Sequence, residues 1–127
     1  MTALVYEVPE MAGMCELTDP EGATQRVPVL ELSSQAGRIS CAIQFQENEY
    51  IDIGLLLGEQ VQENLFAQVI SSGDELLVRW LHFDPSEENR LREVLGSYFQ
   101  LQGVNGSEGD LIANRKRESR RIARPRK

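Results

Sequence analysis

The chain has 127 residues, of which 41% are hydrophobic, and its formal net charge at pH 7 is −7. This composition is that of an ordinary globular domain, and about 100 residues suffice to bury a core without disulfides or metal ions. The longest apolar runs fall far short of the roughly 20 residues of a membrane-spanning helix, and residues 1–11 lack the basic region of a secretory signal. We therefore expect a cytoplasmic protein without membrane insertion.

The first third of the chain predicts three strands. Residues 14–18 form a short extended run that closes at a turn signal, and residues 26–32 alternate well enough for a second strand. Together they predict a hairpin in which Pro28 lies at an edge or a bulge. Residues 38–45 predict the clearest strand of the chain, because apolar side chains fill every second position.

The middle of the chain predicts a connector and two more strands. Residues 47–58 predict the connector, with Gly54 and Gly58 at turns. Residues 61–70 predict a strand, and residues 75–83 predict a strand that is covered on both faces, because nearly all its residues are apolar. Short strands at spacings of about 10 residues favour a small antiparallel barrel or sandwich.

After residue 83 the apolar period becomes helical. Asp84 can cap a helix, Pro85 suits its first position, and the apolar residues that follow recur at the spacing of an amphipathic helix. We expect this helix to end near Leu101 and to pack on the barrel. Residues 102–109 contain three glycines and predict a hinge. The chain is therefore divided into a body, residues 1–101, and a hinge with an extension, residues 102–127.

The last 14 residues, 114–127, carry eight of the 13 basic residues and one acidic residue, so their net charge is about +7. We call this segment the basic arm. The other 113 residues hold 5 basic and 19 acidic residues, a net charge of about −14. Charge that is segregated in this way is typical of an interaction tail.

The basic arm contains two interleaved RxxxR spacings, Arg117 with Arg121 and Arg120 with Arg124. In a helix or tight turn, residues four apart lie on one side, and two guanidinium groups there can bind phosphate while their planes stack on bases. A solubilising tail without a ligand is the alternative interpretation. The sequence does not choose between the two registers.

Motifs of enzyme chemistry are absent from the sequence. His82 lies inside an apolar strand, which favours a half-buried structural histidine, and Trp80 favours a core position. Cys15 and Cys41 lack the spacing of metal ligands, so we interpret them as reduced core residues, although the sequence leaves a disulfide between them open. With no phosphate loop, nucleophile motif or zinc cluster, we expect neither catalysis nor a metal ion.

One turn offers polar groups to a ligand. In residues 31–37, with the sequence ELSSQAG, the hydroxyls of Ser33 and Ser34 can offer oxygens to a ligand, and Gly37 can let backbone N–H groups approach it closely. Taken alone, this segment is better explained by a polar turn between two strands.

The order of these parts resembles that of a PilZ domain. The matching stretches are residues 29–39, 65–83 and 85–95, and the resemblance covers roughly residues 14–101. PilZ domains are bacterial receptors for cyclic di-GMP, built on a small antiparallel β-barrel with a C-terminal helix. The family binds its ligand through an RxxxR motif, which precedes the first strand, and a [D/N]xSxxG motif after the second strand.

This sequence departs from both motifs. Aligned on Ser33, the second motif has glutamate at its acidic position and alanine at its glycine. Aligned on Ser34, it has Gly37 but Leu32 at the acidic position. Residues 1–13 contain no arginine, so the RxxxR motif occurs in the basic arm instead.

The resemblance implies a noncatalytic receptor for cyclic di-GMP that requires no cofactor. Its signal would be the ordering of the basic arm, which presents a new surface to a protein effector. The implied ligand-binding residues are Arg117, Arg120, Arg121, Arg124, Ser33, Ser34, Gly37 and, as a lesser candidate, Arg38. One alternative is a PilZ-like adaptor that binds proteins but no nucleotide. A barrel that binds nucleic acid ranks lowest, because a body of about −14 would repel a phosphate backbone.

Overall fold

The computed structural model describes residues 3–59 and 61–113, so the basic arm lies outside the described residues. Within this part the strands and the helix follow in the order β1 (Ala3–Glu7), β2 (Gly13–Thr18), β3 (Thr24–Leu32), β4 (Ala36–Ser40), β5 (Tyr50–Leu57), β6 (Val61–Ser71), β7 (Glu75–Leu81), α1 (Pro85–Leu101) and β8 (Ser107–Gly109).

Six of the strands close into an antiparallel barrel in the order β2-β5-β6-β7-β4-β3, and β3 returns to pair with β2. The long strand β3 makes this closure possible, because its first half pairs with β2 and its second half pairs with β1 and β4. β8 adds to the free side of β1. The predicted mainly β fold, a small antiparallel barrel with a C-terminal helix, is confirmed.

Helix α1 packs on the barrel through its apolar face, as predicted. Its buried side chains are Leu91, Leu95, Tyr98 and Phe99. The ring of Tyr6 in β1 stacks on Phe99 with 4.6 Å between centroids, and the Tyr98 hydroxyl donates a hydrogen bond to Ala12 O at 2.8 Å. These contacts connect the helix to β1 and to the loop before β2.

The predicted start of α1 is also confirmed. The Asp84 carboxylate accepts hydrogen bonds from the backbone N–H groups of Ser86 (2.9 Å) and Glu87 (3.3 Å), and Pro85 occupies the first helical turn. A further hydrogen bond from the Ser86 hydroxyl is the main cause that lowers the pKa of Asp84. Such a cap satisfies N–H groups that have no partner within the helix.

Two of the predicted segments differ from the structure. The strand predicted over residues 38–45 ends at Ser40. On one side its neighbour β7 begins opposite Ser40, so no β7 residue pairs beyond it. On the other side Val29 pairs with Ile39, and the residue before Val29 in β3 is Pro28, which has no N–H group to donate. The connector predicted over residues 47–58 is largely strand β5.

The predicted hinge is partly a strand. β8 lies within residues 102–109 and pairs with β1, with Ala3 opposite Gly109 and Val5 opposite Ser107. Further along, Leu111 is buried against Ala36 and Leu77 on the outer face of the barrel. The first residues of the extension are therefore attached to the barrel. The division of the chain at residue 101 into two units stays a prediction.

Strand β7 is covered on both faces, as its apolar sequence predicts. Leu76 and Val78 point into the barrel and are fully buried, while Leu77 is buried on the opposite face beneath Leu111. Cys15 and Cys41 are free and buried, which confirms their interpretation as core residues. In the part of the chain that the structure describes, no helix is both long and apolar enough to cross a bilayer.

Candidate functional site

The turn between β3 and β4 is built around Ser33. The Ser33 hydroxyl accepts hydrogen bonds from the backbone N–H groups of Gln35 and Ala36, each at 3.1 Å, and Ser33 N donates to Ala36 O at 2.9 Å. A serine side chain that bonds to the backbone two and three residues ahead fixes a tight turn. The predicted polar turn therefore has a defined shape.

The end of β7 fixes this turn from the other side. Trp80 Nε1 donates to Ser33 O at 3.0 Å, and Trp80 N donates to Gln35 O at 3.0 Å. His82 Nε2 lies 2.8 Å from Ser34 O, and since a carbonyl oxygen only accepts, Nε2 carries the hydrogen in this contact. His82 is thus a half-buried histidine in a structural hydrogen bond, as its apolar strand suggested.

Gly37 lies directly under the indole of Trp80. A Cβ atom at this position would stand 2.6 Å from Trp80 Cζ2 and 3.2 Å from Cη2. Only a residue without a side chain allows the backbone to approach the ring so closely. In this structure Gly37 supports the turn by making room for Trp80.

Arg38, the lesser candidate, is held by two carboxylates. Its Nε lies 2.6 Å from Glu31 Oε1, and its Nη1 lies 2.7 Å from Glu75 Oε2. Burial lowers the pKa of the Arg38 guanidinium, but the hydrogen bonds and charges of Glu31 and Glu75 raise it more, so the net shift of its pKa is upward. Its donors on these two sides are therefore in use.

Ser34 differs from Ser33. It is 3% exposed, and its hydroxyl has no hydrogen-bond partner among the described residues. Buried hydroxyls are usually hydrogen-bonded, so an orphaned one in a turn of this kind marks a candidate contact point.

An open cavity of about 450 Å³ lies beside this turn, and we call it the serine cavity. Its walls come from the turn, from the end of β7, from α1 and from the segment after β8. The lining residues are Ser33, Gln35, Ala36, Arg79, Trp80, His82, Glu88 and residues 110–113. A volume in this range is that of a small-molecule site.

The segment after β8 brings the chain onto the wall of the serine cavity. Leu111 is anchored in the cluster with Ala36 and Leu77, and the Asp110 carboxylate accepts a hydrogen bond from Ala113 N at 3.0 Å. Ala113 itself lines the cavity. In the sequence, the basic arm begins at the next residue.

Arg79 is a cation in this cavity that the sequence reasoning did not select. It is exposed, and the structure gives it no ion pair with another described residue. The other arginines of the described chain all have carboxylate partners: Arg26, Arg38, Arg90 and Arg92. The signal was a single charge in the otherwise apolar run of residues 76–81.

The structure brings some of the sequence-predicted site residues together. Ser33 lies on the wall of the serine cavity. Ser34 belongs to the same turn, and Gly37 and Arg38 follow it in β4, but none of these three residues lines the cavity. Arg117, Arg120, Arg121 and Arg124 lie outside the described residues. Within residues 3–59 and 61–113, no group of three or more His, Cys, Asp or Glu side chains is placed to hold a metal ion.

A closed barrel of six antiparallel strands, with a helix after the last barrel strand and a serine turn between β3 and β4, is a PilZ-like fold. The resemblance that the sequence suggested is thus confirmed for the fold. The placement of the RxxxR motif stays a prediction. No protein-family model matches the sequence, and no curated protein matches it either.

Solved structures support this assignment of the fold. The chain is similar to the PilZ domain of YcgR from Escherichia coli with c-di-GMP, with a TM-score of 0.64, 18% sequence identity, and coverage of 79% of this chain and 92% of that chain. A crystal structure of YcgR in complex with c-di-GMP, from the same organism, gives a TM-score of 0.63 at 20% identity and covers 96% of this chain and 50% of that chain. An uncharacterized Legionella protein gives a TM-score of 0.59 at 14% identity, covering 77% of this chain and 97% of that chain.

Proposed function

We propose that this protein is a noncatalytic bacterial receptor that binds cyclic di-GMP in the serine cavity. The ligand contacts would come from Ser33 and Arg79 on the barrel and from Arg117, Arg120, Arg121 and Arg124 in the basic arm. Ser34 is buried in the turn and does not line the cavity, so it would reach the ligand only if the turn shifts on binding. Gly37 and Arg38 would act indirectly, by shaping the turn. Ordering of the arm over the ligand would form the surface that a protein effector recognises.

The observation that carries this proposal is the position of Ala113 on the wall of the serine cavity. Arg117 is four residues further along, which is a span of at most about 14 Å for an extended chain. The RxxxR motif follows the last strand instead of preceding the first one, yet Ala113, four residues before Arg117, lines the cavity beside the serine turn. The sequence position of the motif is therefore compatible with the site.

Charge explains why the arm is needed. The described walls of the serine cavity carry one arginine, Arg79, against two carboxylates, Glu88 and Asp110. A ligand with two phosphates requires more cations than this, and the basic arm supplies eight. Each charge-assisted hydrogen bond contributes about 1.5–3 kcal/mol, which can offset an ordering cost of about 1–2 kcal/mol per arm residue only if several form together.

A second candidate function is an adaptor that binds proteins without a nucleotide. Glu31 stands at the acidic position of the family motif when the motif is aligned on Ser33, but its carboxylate is engaged by Arg38 at 2.6 Å. This ion pair withdraws both groups from a ligand. In the adaptor, the basic arm would bind an acidic partner directly.

Calorimetric titration of the full chain with cyclic di-GMP tests the receptor. We expect binding by the wild type and its loss in the Arg120→Ala/Arg121→Ala variant. The matched control is Arg126→Ala/Lys127→Ala, which removes the same charge from the arm but leaves both RxxxR spacings intact. It should keep most of the binding, and both variants should melt like the free wild type.

Absence of binding heat for the wild type would contradict the receptor and favour the adaptor. Equal losses in the two variants would show that arm charge, and not the RxxxR spacing, holds the ligand. Retention of the wild type on DNA that weakens steeply with salt would instead favour the nucleic-acid-binding barrel.

A further inference from the structure

A second cavity, of about 310 Å³, lies on the other side of His82. It is formed by β5, β6, the residues after β7 and the first turns of α1, and we call it the acidic groove. His82 lines both this groove and the serine cavity. The groove contains three carboxylates, of Asp52, Glu63 and Glu87, and one guanidinium, of Arg90.

Aromatic rings are exposed at this groove. Phe83 is 83% exposed and lines it together with Phe66. Tyr50, which is 58% exposed, stacks on Phe66 with 5.8 Å between centroids and an angle of 13° between the ring planes. Exposed apolar side chains that are clustered on one face mark an interaction site more often than scattered ones do.

The polar groups of the groove are only partly satisfied within the fold. Arg90 pairs with Glu63 at 3.0 Å, and the Glu87 carboxylate accepts a hydrogen bond from Phe83 N at 2.8 Å. Asp52 is exposed and has no hydrogen-bond or ion-pair partner among the described residues. The groove is therefore net negative and bordered by aromatic side chains. This combination suits a guanidinium, which can stack on an aromatic ring while it donates to a carboxylate.

The chain itself carries the complementary segment. The basic arm begins after Ala113, on the wall of the cavity that adjoins the groove across His82. Fourteen residues of extended chain reach at most about 50 Å, and the groove and the serine cavity share His82 as a wall. Tethering of this kind gives an effective concentration in the millimolar range, so a foreign basic peptide would have to displace the arm first.

We propose that the acidic groove binds arginine side chains of the basic arm of the same chain when no nucleotide is present. The arm then has two alternative positions, the groove and the serine cavity. Its docking in the groove does not require the receptor function proposed above; only the competition between the two positions rests on that function. If both hold, the groove lowers the apparent affinity for the nucleotide, because only chains with a released arm can bind it.

Limited digestion of the full chain with trypsin, without nucleotide, tests the docking. Trypsin cleaves after arginine and lysine, and a docked arm is protected from it. The initial rate of cleavage within residues 114–127 is followed by mass spectrometry. In the Asp52→Asn/Phe83→Ala variant we expect this rate to rise roughly fivefold, the size expected for loss of one cation–π contact and one exposed ion pair.

The matched control is Glu93→Gln/Leu101→Ala, which removes one carboxylate and one exposed apolar side chain from another part of α1. Its cleavage rate should equal that of the wild type. Equal rates for the wild type and the groove variant would overturn the proposal. The proposal would also be overturned if the cleavage rate rose in Glu88→Gln but not in the groove variant. That result would place the arm in the serine cavity when no nucleotide is present.

This test is independent of the nucleotide. A failed titration with cyclic di-GMP would refute the receptor and leave the difference in cleavage rates in place. If the nucleotide does bind, its addition should lower the cleavage rate of the groove variant, whose arm is already released, more than that of the wild type, whose arm passes from one protected position to the other. Equal changes in both proteins would contradict the competition.

Discussion

The serine cavity and the acidic groove share His82 but are built in opposite ways. In the serine cavity, Trp80 and His82 bond to backbone carbonyls of the turn, so the walls are fixed by the fold. In the acidic groove, Asp52 and Phe83 point outward. The first cavity offers an arginine that has no carboxylate partner among the described residues, and the second offers carboxylates and aromatic rings.

This difference shows how one basic arm can serve two surfaces. An anionic ligand in the serine cavity needs cations in addition to Arg79. The acidic groove has more carboxylates than cations, so it attracts cations even when no ligand is bound. In both proposals the guanidinium groups of the basic arm supply these cations. The contrast can be sharpened or broken by variants that change one region and leave the other intact.

The largest effect is expected from Gly37→Ala, which would displace Trp80 in the wall of the serine cavity. The new Cβ would lie 2.6 Å from Trp80 Cζ2, so the indole must shift, and overpacking of this kind costs up to about 3 kcal/mol of unfolding free energy. Urea denaturation measures it. Gly73→Ala is the matched control, since no atom lies within 4 Å of a Cβ there, and its unfolding free energy should stay within about 0.5 kcal/mol of the wild type.

The next effect is expected from Leu111→Ala. Leu111 attaches the start of the extension to Ala36 and Leu77, and its truncation should lower the free energy of unfolding by about 2 kcal/mol, at the low end for buried leucines because its cluster is small. Affinity for cyclic di-GMP should fall as well, since the arm no longer begins at the cavity wall. Leu101→Ala, at a site that is 78% exposed, should change neither quantity. An unchanged affinity in Leu111→Ala would separate the anchor from the ligand site.

A smaller effect is expected from Arg79→Ala. Loss of one charge-assisted contact should weaken cyclic di-GMP binding about tenfold, which is about 1.4 kcal/mol, while the melting temperature of the free protein stays the same. Arg26→Ala is the control, because Arg26 is exposed and pairs with Glu16 at 2.8 Å, outside both cavities. Calorimetry that gave equal affinities for the two variants would remove Arg79 from the site.

The smallest effect concerns the barrel interior, which neither cavity reaches. Burial, and secondarily the nearby Cys41, raises the pKa of Cys15 from 9.0 to about 12. In the unfolded chain this thiol ionises first, so its contribution to stability is complete below about pH 9 and is lost as the pH rises towards about 12. The free energy of unfolding of the wild type should therefore fall more steeply between about pH 8 and pH 10 than that of Cys15→Ala. Parallel pH profiles would contradict the shift.

Local patterns of sequence predicted much of the barrel. The hairpin of β2 and β3, the doubly covered strand β7 and the capped helix α1 depend on neighbours in sequence, and all are present. Strand β5 was missed because Gly54 was taken as a turn signal, although Ile53, Leu55 and Leu57 keep the period of two and are buried. β1 and β8 were missed because three-residue pairing between distant segments leaves no local pattern.

The candidate site was predictable only in part, for a similar reason. Ser33 lies in a motif that can be read along the chain. The role proposed for Arg79 depends on which side of β7 lines the serine cavity. The acidic groove brings together Asp52, Glu63 and Glu87 from three separate elements. Such proximity depends on the order of the strands in the sheet, which local sequence patterns do not predict.

The pairing of β1 with β8 has a mechanical consequence. Ala3 and Gly109 face each other at one end of this pair, so tension applied across them would load the three residue pairs one after another. Bonds that are loaded in succession open at lower force than bonds loaded together. The β1–β8 pair should therefore separate while the closed barrel stays folded. Loss of β8 would then release Leu111 and the wall of the serine cavity that residues 110–113 form. A pull across the β1–β8 pair would thus act on the serine cavity before it acts on the barrel.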